Sequence, residues 1–486
     1  MLLFTLEALK SLLGNHVCDS LKRVRRQLFG ELQSDHKDSF AHIHRSGRRK
    51  MSAMQPALKP FQVTAAVIGN ALEWYDFLVF GFFTVIIARL FFPSESQYAS
   101  LLLTSAAFGV GFFMRPVGGI LLGIYADRRG RKAALLMVIT LMTVAVAMIA
   151  FAPTYAMIGV GAPLIIVLAR LLQGFSAGGE FASATAFLTE SAPAHRRGLY
   201  GSWQMVGQGV AVLIGAILGT VLTRSLTAEA LNNWGWRIPF LVGLIIGPVG
   251  LYIRRGLDET SAFLQSSQTS PGQQSSASLL ASHTKEMMAC LGMIVAGTIS
   301  FYVTLIYIPT FARTQLHLPL DQAFLAQSIG LACEVALIPI FGAISDVVGR
   351  RPVMAAAVIL DLLVAYPLFS WVTANPSFGT LLTMQIVLCS LFGVFNGPIS
   401  TALAEQFPTR VRSTALAISY NIAVMLFGGF AQFFVTWLIE TTGTPIAPAY
   451  YLMFGAAVGL LSTLFLKEHA GDTQFLAKDV VEPTAA

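Results

Sequence analysis

The ten residues GIYADRRGRK (Gly123 to Lys132) return as GAISDVVGRR (Gly342 to Arg351), 219 positions further on. Both copies read Gly-x-x-x-Asp-x-x-Gly-Arg-Lys/Arg, and both sit where an apolar segment breaks into a basic turn. A second pair follows in the same order, TESAPAHRRG (Thr189 to Gly198) and AEQFPTRVRS (Ala404 to Ser413). It aligns Glu190 with Glu405, Pro193 with Pro408 and Arg197 with Arg412, at an offset of 215. Two matched pairs in one order describe a doubled unit. The fold must then set two like halves beside each other, and a solute can sit between halves that rock.

Composition names the solvent. Of 486 residues, 55% are hydrophobic and 12% charged, against about 25% charged in a soluble domain. So few charges cannot clothe a soluble surface of this size, and the surroundings are lipid. The formal charge of +7 fits the basic inner face of a membrane protein. Nucleic-acid binding would need a basic face with aromatic or helix-turn-helix context, and none is visible. Cys18, Cys290, Cys333 and Cys389 show no metal or redox spacing, so no metal is expected.

A span needs about 20 apolar residues. That window predicts twelve segments, at roughly 62–90, 99–124, 133–152, 161–188, 200–223, 236–254, 287–312, 323–344, 353–373, 379–403, 413–438 and 447–466. Alternate junctions collect Arg128, Arg129, Arg131, Lys132, Arg196, Arg197, Arg254, Arg255, Arg350, Arg351, Arg410, Arg412 and Lys467. The other junctions are nearly free of Lys and Arg; Arg89, Arg224 and Arg313 are the main exceptions. The positive-inside rule then puts both termini and both repeated turns in the cytoplasm. The stretch Gln265 to Ser282, rich in Ser and Gln, reads as a flexible linker. The expected division is a cytoplasmic extension (1–60), a first six-helix bundle (61–255), a cytoplasmic linker (256–286), a second bundle (287–466) and a cytoplasmic tail (467–486). Residues 1–14 make a poor signal peptide, since Glu7 and Lys10 interrupt the apolar run. Either the extension carries an amphipathic helix around Leu21 to Leu32, or translation starts at Met51 or Met54.

Charges inside spans are costly, so each calls for a partner or a task. The first span contains GNALEWYDFLVFG, which puts Glu73 and Asp76 three apart on one helical face. Such a pair could take up a proton on one side and release it on the other. The second span holds Arg115, a fixed cation that could neutralise those carboxylates or hold a carboxylate solute. The fourth span, ARLLQGFSAGGE, repeats Arg170, Gln173 and Glu180 near helical spacing. Glu334 and Asp361 lie in the eighth and ninth spans. The second half adds Ser300, Tyr302 and Tyr307, then Asn396, then Tyr420 and Asn421, which serve either a polar solute or interhelical hydrogen bonds. The string GFSAG (Gly174 to Gly178) matches the Gly-x-Ser-x-Gly nucleophile elbow, which requires a strand turning into a helix. Here it falls in an apolar run read as one continuous helix. No zinc signature and no Gly-x-x-x-x-Gly-Lys phosphate loop appears, so no cofactor, no nucleotide energy source and no enzyme is expected.

The repeated turns read as a gate. Asp127 and Asp346 lie at helix ends, where a carboxylate can face the positive N-terminus of a neighbouring helix. Arg131, Lys132, Arg350 and Arg351 can reach Glu190 and Glu405 and lock the inner mouth. Each pair is worth little singly; together they can be balanced against solute and proton binding.

With these residues in hand, the sequence resembles the major facilitator superfamily, whose signature is the paired turn after the second and eighth spans. More narrowly it resembles the metabolite:proton symporter family, through GNALEWYDF, GFFMRPVGG, RLLQGFSAGGE, WGWRIPF (Trp234 to Phe240), LDETSAF (Leu257 to Phe263) and FPTRVR. These strings span about 61 to 466, nearly all of the chain beyond the extension. GTISFYVTLIYIPTFAR and SWQMVGQ (Ser202 to Gln208) are similar to the citrate carriers; FPTRVRSTALAISYNIAV and PAYYLM look closer to the betaine and proline carriers. The coiled-coil tail of the osmosensing members does not follow.

The resemblance implies an all-α membrane protein, with twelve transmembrane helices in two bundles. It implies proton-coupled import of an organic acid, citrate or a related carboxylate, by one polypeptide in the inner membrane; a zwitterion such as proline or betaine is the alternative, and a metabolite or drug exporter a further one. Glu73, Asp76 and Glu180 would couple protons. By the family's pattern Arg115 and Arg170 would line the cavity; its motifs do not fix the residues of solute choice, for which the sequence itself offers Gln173, Gln204, Gln208, Tyr302, Tyr307, Asn396 and Asn421. Gly123, Asp127, Gly130, Arg131, Lys132, Glu190 and Arg197 would form one half of the gate, and Gly342, Asp346, Gly349, Arg350, Arg351, Glu405 and Arg412 the other.

Overall fold

A computed structural model describes residue 71 and residues 74–129, 131–178, 180–190, 192–255 and 282–469. The expected extension, Glu73, Gly130 and the linker stretch 265–281 lie outside them, as do the side chains of Asp127, Arg131, Lys132, Glu180 and Glu190. The described chain is helical throughout and contains no strand. Among the described residues seven helices are long and apolar enough to cross a membrane, and the bent pair Trp74–Phe82 and Thr84–Phe91 makes an eighth. Four shorter apolar helices fall at the third, fourth, sixth and twelfth predicted segments. Large apolar side chains such as Ile120, Leu164, Ile217, Ile245, Leu363 and Leu461 point outward, as a surface facing hydrocarbon requires.

Packing repeats with the sequence. The second span (Gln97–Arg129) packs on the fourth (Gly161–Ser176), as the eighth (Leu320–Val348) packs on the tenth (Phe378–Ala404). The third (Arg131–Ala150) packs on the sixth (Ile238–Arg255), as the ninth (Arg350–Ala374) packs on the twelfth (Ala447–Thr463). Between the halves, the fifth (Arg197–Ser225) lies along the eighth, and the second meets the eleventh. Shifting each number by six maps the one junction onto the other, which is the relation of a pseudo-twofold pair of bundles.

Four helices are irregular where the halves meet. The first span bends by 70° at Phe83. There Thr84 Oγ1 donates to Gly81 O at 2.7 Å, and Gln432 Nε2 from the eleventh span donates to the same carbonyl at 3.4 Å. Side chains that compete for a helical carbonyl in this way bend helices. The fourth span stops at Ser176 and resumes at Glu180. The sequence reading of one continuous helix is corrected here: Gly178 follows a turn at Ala177 and faces the second span so closely that a Cβ would strike Gly119. The seventh span runs from Thr284–Ser300 through a π-helical stretch, Phe301–Tyr307, to Ile308–Thr314. It thus begins before the expected bundle boundary at residue 287. The eleventh carries a second π stretch, Val424–Gly428. Such stretches occur mostly at functional positions.

Polar side chains stitch these helices together in the same way in each half. In the first, Gln173 Nε2 donates to Asp76 O at 3.4 Å and Arg170 donates to Phe77 O at 3.1 Å. In the second, Gln385 Nε2 donates to Thr304 O at 3.3 Å and Gln327 Nε2 to Leu305 O at 2.8 Å, while Gln385 Nε2 donates to Gln327 Oε1 at 2.6 Å. Buried carbonyls released by irregular helices need such donors.

Candidate functional site

A cavity of about 60 Å³ lies between the bundles. Trp74, Phe181, Met205 and Gln208 wall it from the first half, and Tyr302, Asn396 and Tyr420 are among its walls in the second. Phe181 and Tyr420 stack across the junction, with ring centroids 3.9 Å apart and planes 7° from parallel.

Arg115 and Arg170, buried within the first bundle, lie on a bed of aromatic rings, and Arg115 stacks on Trp74 of the cavity wall. The Arg115 guanidinium is 4.7 Å from the centre of Phe77, 4.9 Å from Phe112 and 5.7 Å from Trp74. Arg170, fully buried, lies 4.2 Å from Phe77, 4.5 Å from Phe108 and 4.9 Å from Phe80. It also donates to Gln173 Oε1 at 2.8 Å and to Phe108 O at 3.4 Å. The ring faces are negative, so each stack offsets part of the cost of burying a cation. Among the described residues neither arginine has a carboxylate partner. Tyr302 lies within electrostatic reach of both, packs on Phe108 and Phe112, and leaves its hydroxyl without a hydrogen bond.

The other sequence candidates separate. Gln208 and Asn396 reach the cavity wall. Gln173 supports it from behind through Arg170. Gln204 does not face it: Thr185 Oγ1 donates to Gln204 Oε1 at 2.7 Å, and its Nε2 donates to Phe181 O, tying the fifth span to the fourth. Asn421 donates to Gly178 O at 2.8 Å, bonding the eleventh span to the break in the fourth. Tyr307 lies one π turn beyond the wall, packed on Phe311. Asp76 is 6% exposed and turns away from both arginines. Its Oδ1 has no hydrogen bond and lies against Gly243 of the sixth span, where a Cβ would collide with it. Trp74 and Phe181, not among the candidates, form much of the wall. Their signal was available, as aromatic residues next to the charged positions of the first and fourth spans, but apolar side chains in a lipid-facing chain carry no mark of which side they face.

The second repeated turn closes one end of the junction. Asp346 accepts from the backbone N–H of Gly198 at 2.8 Å and of Leu199 at 3.0 Å, so it caps the N-terminus of the fifth span from the opposite bundle. Arg350 pairs with Asp346 at 2.7 Å and with Glu405 at 3.5 Å, and Arg197 lies 3.9 Å from Glu405. Thr401 Oγ1 donates across to Arg197 O at 2.8 Å. Burial pushes the Glu405 carboxyl above the usual carboxylate range, against the pull of Arg350 and Arg197. Gly342 and Gly198 let the two backbones touch: a Cβ on Gly342 would lie 2.7 Å from that of Ser202 and 2.9 Å from Gly198 O. Gly349, at φ 112°, makes the reversal between the eighth and ninth spans, a conformation side chains disfavour. Two residues differ from the expected arrangement. Arg351 forms no ion pair with Glu405; its N–H, like that of Arg350, is capped by Glu468 at 2.8 Å and 3.0 Å. Arg412 donates to Ala404 O and Phe407 O, closing the C-terminus of the tenth span. Gly123 lies in the second span, the first copy of the turn.

The far end is closed too. Arg224 pairs with Asp321 at 3.7 Å, Thr220 shares a hydrogen bond with Ser328 at 3.3 Å, and Phe82 and Phe83 pack on Phe324. Described contacts therefore bridge the two halves on both sides of the cavity.

Residues 66–418 and 290–480 match the family described as Major Facilitator Superfamily. The chain is 39% identical over 398 residues to the citrate-proton symporter of Salmonella typhi, covering 82% of this chain and 92% of that one. It is 33% identical over 422 residues to the proline/betaine transporter of Salmonella typhimurium, covering 84% and 83%. The solved structure of the E. coli xylose transporter in a partially occluded inward open conformation superposes with a TM-score of 0.66 at 20% identity, covering 85% of this chain and 99% of that one.

Proposed function

Because the chain belongs to the major facilitator superfamily, we propose that it is a proton-coupled symporter that imports an organic acid, citrate or a related carboxylate, by alternating access. The single observation that carries the solute class is the buried pair Arg115 and Arg170, of which Arg115 stacks on the cavity-lining Trp74, with no acidic partner among the described residues. A carboxylate entering the cavity supplies the missing counter-charge. Arg115, held only by ring faces, is placed to swing toward it, and the free Tyr302 hydroxyl to donate to it. Gln208 and Asn396 offer neutral hydrogen bonds on the opposite walls. A tricarboxylate needs more room than about 60 Å³, so it binds in a wider state than this closed one.

Anion import against a negative interior costs about 2.3 kcal/mol per charge per 100 mV. Protons carried inward with the anion offset that cost. Asp76 is the proposed carrier in the first half, with Glu73 and Glu180 as its companions. The gate of Asp346, Arg350, Glu405 and Arg197 holds one mouth shut while the other opens. We place that gate, both termini and the tail (467–486) on the cytoplasmic side of the inner membrane, with bundles at 61–255 and 287–466 working as one protomer. Relatives named as proline/betaine transporters and the neutral walls Gln208 and Asn396 support zwitterion import as the second reading.

Uptake by purified protein in liposomes decides between them. With the outside acidified, labelled citrate and tricarballylate should accumulate and betaine and proline should not compete. Competition by betaine, with citrate inert, would replace the first reading by the second.

A further inference from the structure

Among the described carboxylates of the second half, Glu334 is hydrogen-bonded to a wall residue of the cavity, Asn396, with no cation in its surroundings. It sits in the eighth span, 1% exposed. Asn396 Nδ2 of the tenth span donates to its Oε1 at 3.1 Å, and Asn396 itself lines the cavity. Oε2 is buried with no hydrogen bond. The backbone is drawn in around it: Gly393 of the tenth span packs on the Glu334 main chain, and a Cβ there would lie 2.9 Å from Glu334 O.

The helices around Glu334 bring no compensating charge. Cys389 of the tenth span lies within its electrostatic reach, and Cys333 is its neighbour on its own helix. The fifth span carries no Asp, Glu, Lys, Arg or His between Arg197 and Arg224, which lie at its two ends. The ninth span contributes Asp361, which accepts from Ser300 Oγ at 3.3 Å, and the end of the seventh contributes Arg313. On the eighth span itself, Asp321 and Asp346 are at the ends, paired with Arg224 and Arg350. A charge on Glu334 would therefore rest on one amide, which is a costly arrangement at this depth.

We propose that Glu334 is a second proton carrier, linked to the solute site through Asn396, and that the second bundle thereby adds a proton to each cycle. This rests on the symporter reading above. With the cavity closed, the proton stays on the Glu334 carboxyl. When the cavity opens to water, Oε2–H gives its proton to a water molecule and the Asn396 amide stabilises the carboxylate left behind. A solute that accepts from the same amide competes with that carboxylate, so binding and proton release are tied at one side chain.

The test is Glu334→Gln in liposomes, with voltage clamped by potassium and valinomycin and labelled citrate or labelled betaine as probe. One pH unit is about a tenfold driving force per proton. Glu334→Gln should keep exchange of labelled for unlabelled probe, but its limiting accumulation under a one-unit gradient should fall about tenfold, with one proton fewer per solute. An unchanged proton ratio overturns the proposal. Loss of exchange together with accumulation assigns Glu334 to structure and also overturns it. A solute-free infrared titration tests the same side chain independently. A component of the protonated-carboxyl band that is lost in alkali for the wild type and absent from the Glu334→Gln spectrum, the component from the other carboxyls remaining, supports the proposal; superimposable spectra sink it. Wild-type protein that accumulates neither probe refutes the symporter reading instead, leaving the infrared result to stand alone.

Discussion

Arg115 and Arg170 differ in what holds them, and substitution should separate them. Arg170 donates to the carbonyls of Phe77 and Phe108 from the centre of the first bundle, so Arg170→Gln should lower thermal stability by about 3 kcal/mol or more, in the range for breaking a buried charged network. Melting of the detergent-solubilised protein measures it. Among the described residues Arg115 rests on rings alone; Arg115→Gln should leave melting nearly unchanged. It should raise the KM for citrate roughly 10- to 100-fold, the worth of a hydrogen bond to a charged group. Equal losses of stability in both variants would contradict the division. The sequence singled out both arginines, because charges stand out in apolar spans. It did not separate cavity residues from packing residues among the amides and phenols. Gln204 and Gln208 are four apart on one face of the fifth span, yet one bonds a neighbouring helix and the other reaches the cavity. Only the placement of the neighbouring fourth span decides between them.

Among the elements, the junction of the fifth and eighth spans depends on glycine contacts as much as on charge. Gly342→Val should wedge it apart at Ser202 and Gly198, favouring the state open at the turn end. A thiol introduced at Ser202 should then react faster with a membrane-impermeant maleimide applied at that end. Asp346→Asn should act in the same direction, since it weakens a cap worth about 1 kcal/mol and leaves buried Arg350 with one acidic partner fewer. The gate also titrates. Burial raises the affinity of Glu405 for a proton in the closed arrangement, so the closed state binds more protons than an open, hydrated one. Acid should favour closure and alkali opening, by linkage. Maleimide rates at the same thiol that rise with acid would reverse the sign and refute this. The elements themselves were largely legible, because each span is a long apolar run bounded by basic or glycine-rich turns. The bend at Phe83, the break after Ser176 and the two π stretches were not. At the bend, Gln432 of the eleventh span joins Thr84 on the Gly81 carbonyl, a contact that local sequence does not record.

For the whole molecule, the doubled turn predicted two bundles, and the packing follows that doubling: the pairing of the second span with the fourth recurs between the eighth and tenth. Contacts between the halves on both sides of a cavity are a property no segment has alone. Transport then requires the bundles to rock, which distances between spin labels measure. One pair, at His195 and Val347, spans the turn end; another, at Ser225 and Gln322, spans the far end, all four on accessible or half-accessible positions. Rocking moves the two pairs oppositely as pH and citrate are varied in liposomes: whichever pair lengthens, the other stays short. Two pairs that lengthen together, or neither moving while solute crosses, would contradict it.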